Sequence, residues 1–161
     1  MTNRDFFIER LHADTPAMLR VLRALPAQRL DYRPHPRSRS AGELAAVLVA
    51  ELQGSIEMCD RGQINWSEPK PITSPEKAAA EYERLLKELV PRLAKVDEAT
   101  WNKKIPILVG GQKVHEGPFA AMCWEFIFDA VHHRGQLSVY IRPMGGKVPS
   151  IYGPSADDTG K

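Results

Sequence analysis

The chain has 161 residues, 43% hydrophobic and 26% charged, with 22 basic against 20 acidic residues and a formal net charge of +2. That length suits a single domain (residues 1–161) around one core, and that balance is ordinary for a soluble globular fold. It excludes the usual nucleic-acid binder: the densest basic stretch, residues 33–39, is interrupted by Pro34 and Pro36 and reads as a loop, with no aromatic interleaving. The polar start Met1-Thr2-Asn3-Arg4-Asp5 leads into no apolar h-region, and no apolar run is long enough to span a bilayer. Cys59 and Cys123 have no paired-ligand spacing and are expected to be reduced, buried thiols, which fits a cytoplasmic protein.

Helical periodicity dominates the chain. A first helix is expected over residues 4–25, with Phe7, Leu11, Met18, Leu22 and Leu25 near one stripe and Pro16 kinking or restarting it. In residues 26–39, rich in Pro and Arg, the residues that precede proline favour extended backbone. Ser40 followed by Glu43 is a capping box opening a second helix, on which Leu44, Val47, Leu48, Glu51 and Met58 share a stripe. Glu51 therefore falls on an apolar face. Residues 62–71 read as a loop holding Trp66. Ser74-Pro75 starts a third helix, whose buried face is Tyr82, Leu85, Leu86, Leu89, Leu93 and Val96. Residues 104–115, with Gly110-Gly111 at the middle, read as a short hairpin-like excursion. A fourth helix over residues 118–142 carries apolar residues around most of its circumference and is expected to be mostly buried. Pro143 and Gly145-Gly146 end it, and an extended C-terminal tail follows. Four such helices give an all-α fold class, a four-helix bundle.

The polar residues that carry chemistry lie on the fourth helix. Asp129 and His133 are four apart and project from one face, so an oxygen and an imidazole nitrogen can share one divalent ion. Glu125 and Gln136 lie about a turn to either side. A hydrogen-bonded structural pair satisfies the same spacing. His132 points away from His133, and His35 and His115 read as exposed polar side chains; His12, on the first helix, has no obvious partner in sequence.

The segment Val131-His132-His133-Arg134-Gly135-Gln136-Leu137-Ser138-Val139-Tyr140 resembles the fourth-helix signature of the DinB-like (YfiT-like) superfamily. The tail from Arg142-Pro143-Met144-Gly145-Gly146 to Ser155-Ala156-Asp157, the capped second helix, and Asp31-Tyr32-Arg33-Pro34 are similar to it as well. The resemblance implies an up-down-down-up bundle that holds nickel, zinc or a similar ion through three histidines. Carried onto this chain, the last ligand is His133, the first member of the His-x-x-x-His pair is Asp129, and the second-helix ligand falls on Val47. Glu51, one turn after Val47, can supply a replacement oxygen. A Glu51, Asp129, His133 set is harder than three imidazoles and comparatively better suited to manganese, iron or magnesium, although nickel and zinc keep the general affinity advantage.

Two readings follow. In the first, the chain is a metal-dependent enzyme, a thiol transferase or hydrolase acting on a small molecule such as a low-molecular-weight thiol. Arg134 or Gln136 would then orient the ligands. In the second, the metal is lost with the Val47 counterpart, and a metal-free or stress-associated bundle keeps a pocket between the second and fourth helices near Met122, Trp124, Phe126 and Tyr140. The resemblance also implies a homodimer. A DNA-associated role has no basic face to support it.

Overall fold

The computed structural model describes residues 1–159. It is mostly helical, with a small three-stranded sheet. The elements run α1 (Asn3–Arg23), a 3₁₀ turn (Ala27–Arg29), α2 (Ala41–Arg61), β1 (Ile64–Trp66), α3 (Pro75–Lys95), α4 (Glu98–Asn102), β2 (Lys104–Val109), β3 (Gln112–Pro118) and α5 (Phe119–Ile141).

Local chemistry sets the helix starts. Thr2 and Asp5 form a reciprocal capping box on α1, the Asp5 N–H donating to Thr2 Oγ1 at 3.1 Å and the Thr2 N–H to the Asp5 carboxylate at 3.2 Å. The expected box on α2 is present: the Glu43 N–H donates to Ser40 Oγ at 3.2 Å and the Ser40 N–H to Glu43 Oε2 at 2.6 Å. Ser74 caps α3 through the Lys77 N–H, with Pro75 at the first helical position, where its missing N–H costs nothing. Gly62 ends α2 in the left-handed region at φ +66°, which an L side chain adopts only with strain. The helical assignment of α1 and α3 runs unbroken through Pro16 and Pro91, so Pro16 does not restart its helix.

α2 packs against α3 and α5, and α1 packs against the same two helices. The core between them is built from Met18, Leu22, Leu44, Leu48, Leu89, Leu93, Met122 and Leu137, all almost wholly removed from water. At roughly 2 kcal/mol per fully buried aliphatic side chain, this set alone rivals the net stability of a small domain.

The structure departs from the sequence reading in three places. Residues 62–71 are not all loop, because Ile64–Trp66 forms β1, parallel to β2 with Ile64 opposite Ile107. The pairing partner lies far along the chain, so no local alternation announces it. The short helix α4 was not anticipated; Asp97 caps it by accepting the Thr100 N–H at 2.7 Å. Third, α5 is not buried all round. It turns Phe128, 65% exposed, and Val139, 71% exposed, to solvent, because its neighbours cover one side only. The β2–β3 hairpin is the expected excursion, turning at Gly110 and Gly111 with φ of +57° and +80°. Among the described residues no helix is long and apolar enough to cross a membrane.

Candidate metal centre

Glu51 reaches the centre from the middle of α2, where the apolar stripe places it against α5. It is only 3% exposed, and neither of its carboxylate oxygens has a hydrogen-bond partner. A buried carboxylate without partners is costly to ionise. Burial first, and the negative Asp129 carboxylate second, push the Glu51 carboxyl from its ordinary 4.5 up to about 10.

Facing it, α5 presents Asp129 and His133 one turn apart. His133 Nε2 lies 3.2 Å from Asp129 Oδ2. The other ring nitrogen, Nδ1, lies 3.0 Å from Gln136 Oε1, an oxygen that can only accept, so Nδ1 carries the proton and Nε2 is left to face Asp129 and Glu51. Gln136, one turn beyond His133, thereby fixes both ring orientation and tautomer, as outer partners of ligating histidines do.

One ligand atom from each of Glu51, Asp129 and His133 lies within 4.8 Å of the others. Donors bound about 2.1 Å from one ion are separated by roughly 3–4.2 Å, so this set has to close by about half an ångström or more to share a common centre. The donor set fits a divalent cation, which would answer three convergent acceptors and the two orphaned Glu51 oxygens together. Glu51 closes the inner side. Asp129, its side chain 51% exposed, opens the outer side to a surface basin lined by Glu125, Phe126, Phe128, Asp129 and His132.

The three residues singled out in the sequence are thus brought together, and others are not. Val47 is buried core, with no donor to offer. Glu125 leaves the cluster for His115 on β3, at 3.6 Å. Arg134 does not orient the ligands. Only 2% exposed, it donates to Asp14 at 2.5 Å and to the Tyr152 hydroxyl, which itself donates to Asp14 at 2.7 Å. That network clamps the tail to α1. It went unread because Asp14 and Tyr152 carry no spacing signal relating them to Arg134.

The expected apolar pocket also changes. Met122 is plain core, Tyr140 meets Tyr32 edge-on at 5.6 Å, and Trp124 packs outward against Phe6 and Phe7. Phe126 alone of the four lines the small internal cavity beside Glu51, whose volume of about 30 Å³ holds little more than one water. Cys123 is buried and Cys59 half-buried, and desolvation pushes both thiols up, Cys59 to about 12, so neither supplies a thiolate here.

Comparison with known proteins bears on this arrangement. A search of curated proteins finds no match. Among solved structures, a DinB-like protein from Bacillus cereus is similar at 21% identity and a TM-score of 0.68, over 91% of this chain and 95% of that one. A DinB-like protein from Bacillus subtilis is similar at 17% identity and a TM-score of 0.65, over 86% of this chain and 91% of that one. At such identities the likeness speaks for the fold. The DinB family model matches residues 2–160, and this chain belongs to the DinB family.

Proposed function

We propose that this chain holds one divalent cation through Glu51, Asp129 and His133 Nε2, and uses it in metal-dependent thiol transfer or hydrolysis on a small molecule. The observation that carries this reading is the buried Glu51 carboxylate, both oxygens unpartnered, aimed at an imidazole nitrogen and a second carboxylate. The fold belongs to the same proposal: an up-down-down-up bundle of α1, α2, α3 and α5 in a cytoplasmic protein. A bound ion would act as a Lewis acid, lowering the pKa of a coordinated thiol or water.

The chain's own residues divide the remaining work. Glu51 anchors the inner side, where water is excluded. Asp129 reaches the same centre from the solvent side, so a small substrate meets the site through the basin beside it. Gln136 keeps the His133 proton on Nδ1. With three protein donors, positions stay open for substrate, as in catalytic sites. Two carboxylates and one imidazole make a hard set, within which nickel, zinc, manganese and iron are the candidates.

One observation favours a metal-free alternative. A Glu51 carboxyl held at about 10 is protonated at neutral pH and can donate to Asp129. Asp129, accepting from Glu51 and lying 3.2 Å from His133 Nε2, would then close the network without an ion. Elemental analysis of the untagged protein separates the two. Near-stoichiometric metal, lost in a folded His133→Ala variant, supports the centre. Absence of metal in the wild type after incubation with excess divalent ions overturns it in favour of the proton network.

A further inference from the structure

Glu51 has a second surrounding besides the centre. The cavity of about 30 Å³ beside it is walled mostly by apolar side chains, yet three helices contribute a polar residue each or more: Asp14 from α1, Glu51 and Ser55 from α2, and Tyr82 from α3. An apolar cavity stays dry, whereas one with convergent polar walls holds water. Here one of the walls is a buried carboxyl with both oxygens unanswered, a state that calls for a partner.

Tyr82 is 4% exposed, and its hydroxyl lies close enough to Asp14, Glu51 and Arg134 to feel all three charges. Burial first, then the Asp14 and Glu51 carboxylates, push the phenol above its ordinary 10, so at neutral pH it keeps its proton and can donate it. The Ser55 hydroxyl gives its proton to the Glu51 backbone carbonyl at 2.8 Å, and its oxygen can still accept.

We propose that one ordered water fills this cavity, accepting from the Tyr82 hydroxyl and donating to a Glu51 carboxyl oxygen, and that Tyr82 is thereby a positioning residue for the metal centre. The positioning role rests on the metal-centre reading; the water does not. Its space and its partners both fit. A single water needs roughly 10–15 Å³ and makes about three hydrogen bonds, and Tyr82, Glu51 and Ser55 supply one donor and two acceptors.

The consequence lies in the freedom of a carboxylate. The torsion about its last bond is broad, so a glutamate held at an ion by a single oxygen can swing toward binding with both. Glu51, Asp129 and His133 converge through one ligand atom each, which leaves the second Glu51 oxygen to be held from the cavity side. A water tied to Tyr82 holds it there, doing for Glu51 what Gln136 does for His133. It also gives α3 a part in a centre whose donors all come from α2 and α5.

High-resolution crystal structures of the metal-free protein, wild type beside Tyr82→Phe, test the water directly. The expected result is one water within hydrogen-bond distance of Tyr82 Oη and a Glu51 carboxyl oxygen in the wild type. In Tyr82→Phe, which keeps the ring and its packing, that water should be lost and the Glu51 carboxyl turned. Cobalt(II) then tests the positioning in untagged protein. Tyr82→Phe should bind it about 10-fold more weakly and shift its visible absorption bands, which report ligand geometry, while circular dichroism stays helical. A hydroxyl that served packing alone would lower the melting temperature and leave cobalt affinity and bands as they were. A wild-type cavity without the water, or a Tyr82→Phe variant that keeps both affinity and bands, overturns the proposal. A wild type that takes up no cobalt sinks the metal centre instead. The two metal-free crystals then decide the role of Tyr82 by themselves, a turned Glu51 carboxyl sustaining it and an unmoved one overturning it.

Discussion

Replacing Glu51 by glutamine isolates the cost of the buried carboxyl in the metal-free protein. In the folded chain Glu51 keeps its proton up to about 10, whereas an exposed glutamic acid releases it near 4.5. Between those values the folded state binds one more proton than the unfolded state, so stability falls as pH rises. The slope is about 1.4 kcal/mol per pH unit, which makes about 2.7 kcal/mol between about pH 5.5 and about pH 7.5. That figure is a ceiling, since solvent entering beside the half-exposed Asp129 screens part of the charge. Glutamine has nearly the same shape and does not ionise, so its variant lacks this slope. Urea denaturation in chelator, across a pH series, gives the wild-type minus Glu51→Gln difference directly. The difference should grow with pH in the direction of a less stable wild type, and parallel pH curves would refute the burial argument. Saturating zinc should reverse the order near neutral pH, because the ion stabilises only the carboxylate form.

Two further substitutions probe the surroundings of the centre. Gln136→Leu removes the acceptor on His133 Nδ1 and should weaken metal affinity about 10- to 100-fold with little change in melting temperature; competition with a chromophoric chelator measures it, and unchanged affinity would dismiss the orienting role. Arg134→Ala leaves Asp14 half-buried without its cation and should cost about 3–5 kcal/mol in urea denaturation, while Arg134→Met, which also keeps packing volume, should cost less.

The helical frame was legible because its signals are local. Ser40 with Glu43, and Ser74 with Pro75, place helix starts within one or two residues of those observed. The apolar stripe that marked Glu51 as inward-facing is the reason it meets Asp129 and His133. β1 was illegible because a parallel strand is defined by a partner some forty residues away, and three residues carry no period. The face of α5 was misread for a related reason. Its apolar content is high, but content does not say how many neighbours surround a helix, and Phe128 and Val139 stay exposed. Arg134 matched a family signature, yet its partners Asp14 and Tyr152 are brought to it only by the folded tail.

The sheet has a role beyond its size. β1 follows α2 directly through Gly62, and β3 runs into α5 at Pro118, with the Phe119 N–H bonded to the Lys103 carbonyl at 2.9 Å. β2 joins them, pairing with β1 on one edge and β3 on the other. The three strands therefore work as a length standard between the two helices that supply the donors. An α-helix that slips by one turn moves about 5.4 Å along its axis, more than twice a metal–ligand bond. Such a slip would require the strand pairing to break, and a one-residue strand shift would turn Ile64, wholly buried, out of the core. Longitudinal alignment of Glu51 with Asp129 is thus calibrated at the ends of the helices, away from the chemistry, while the Gly110-Gly111 tip outside that circuit stays free to vary in length.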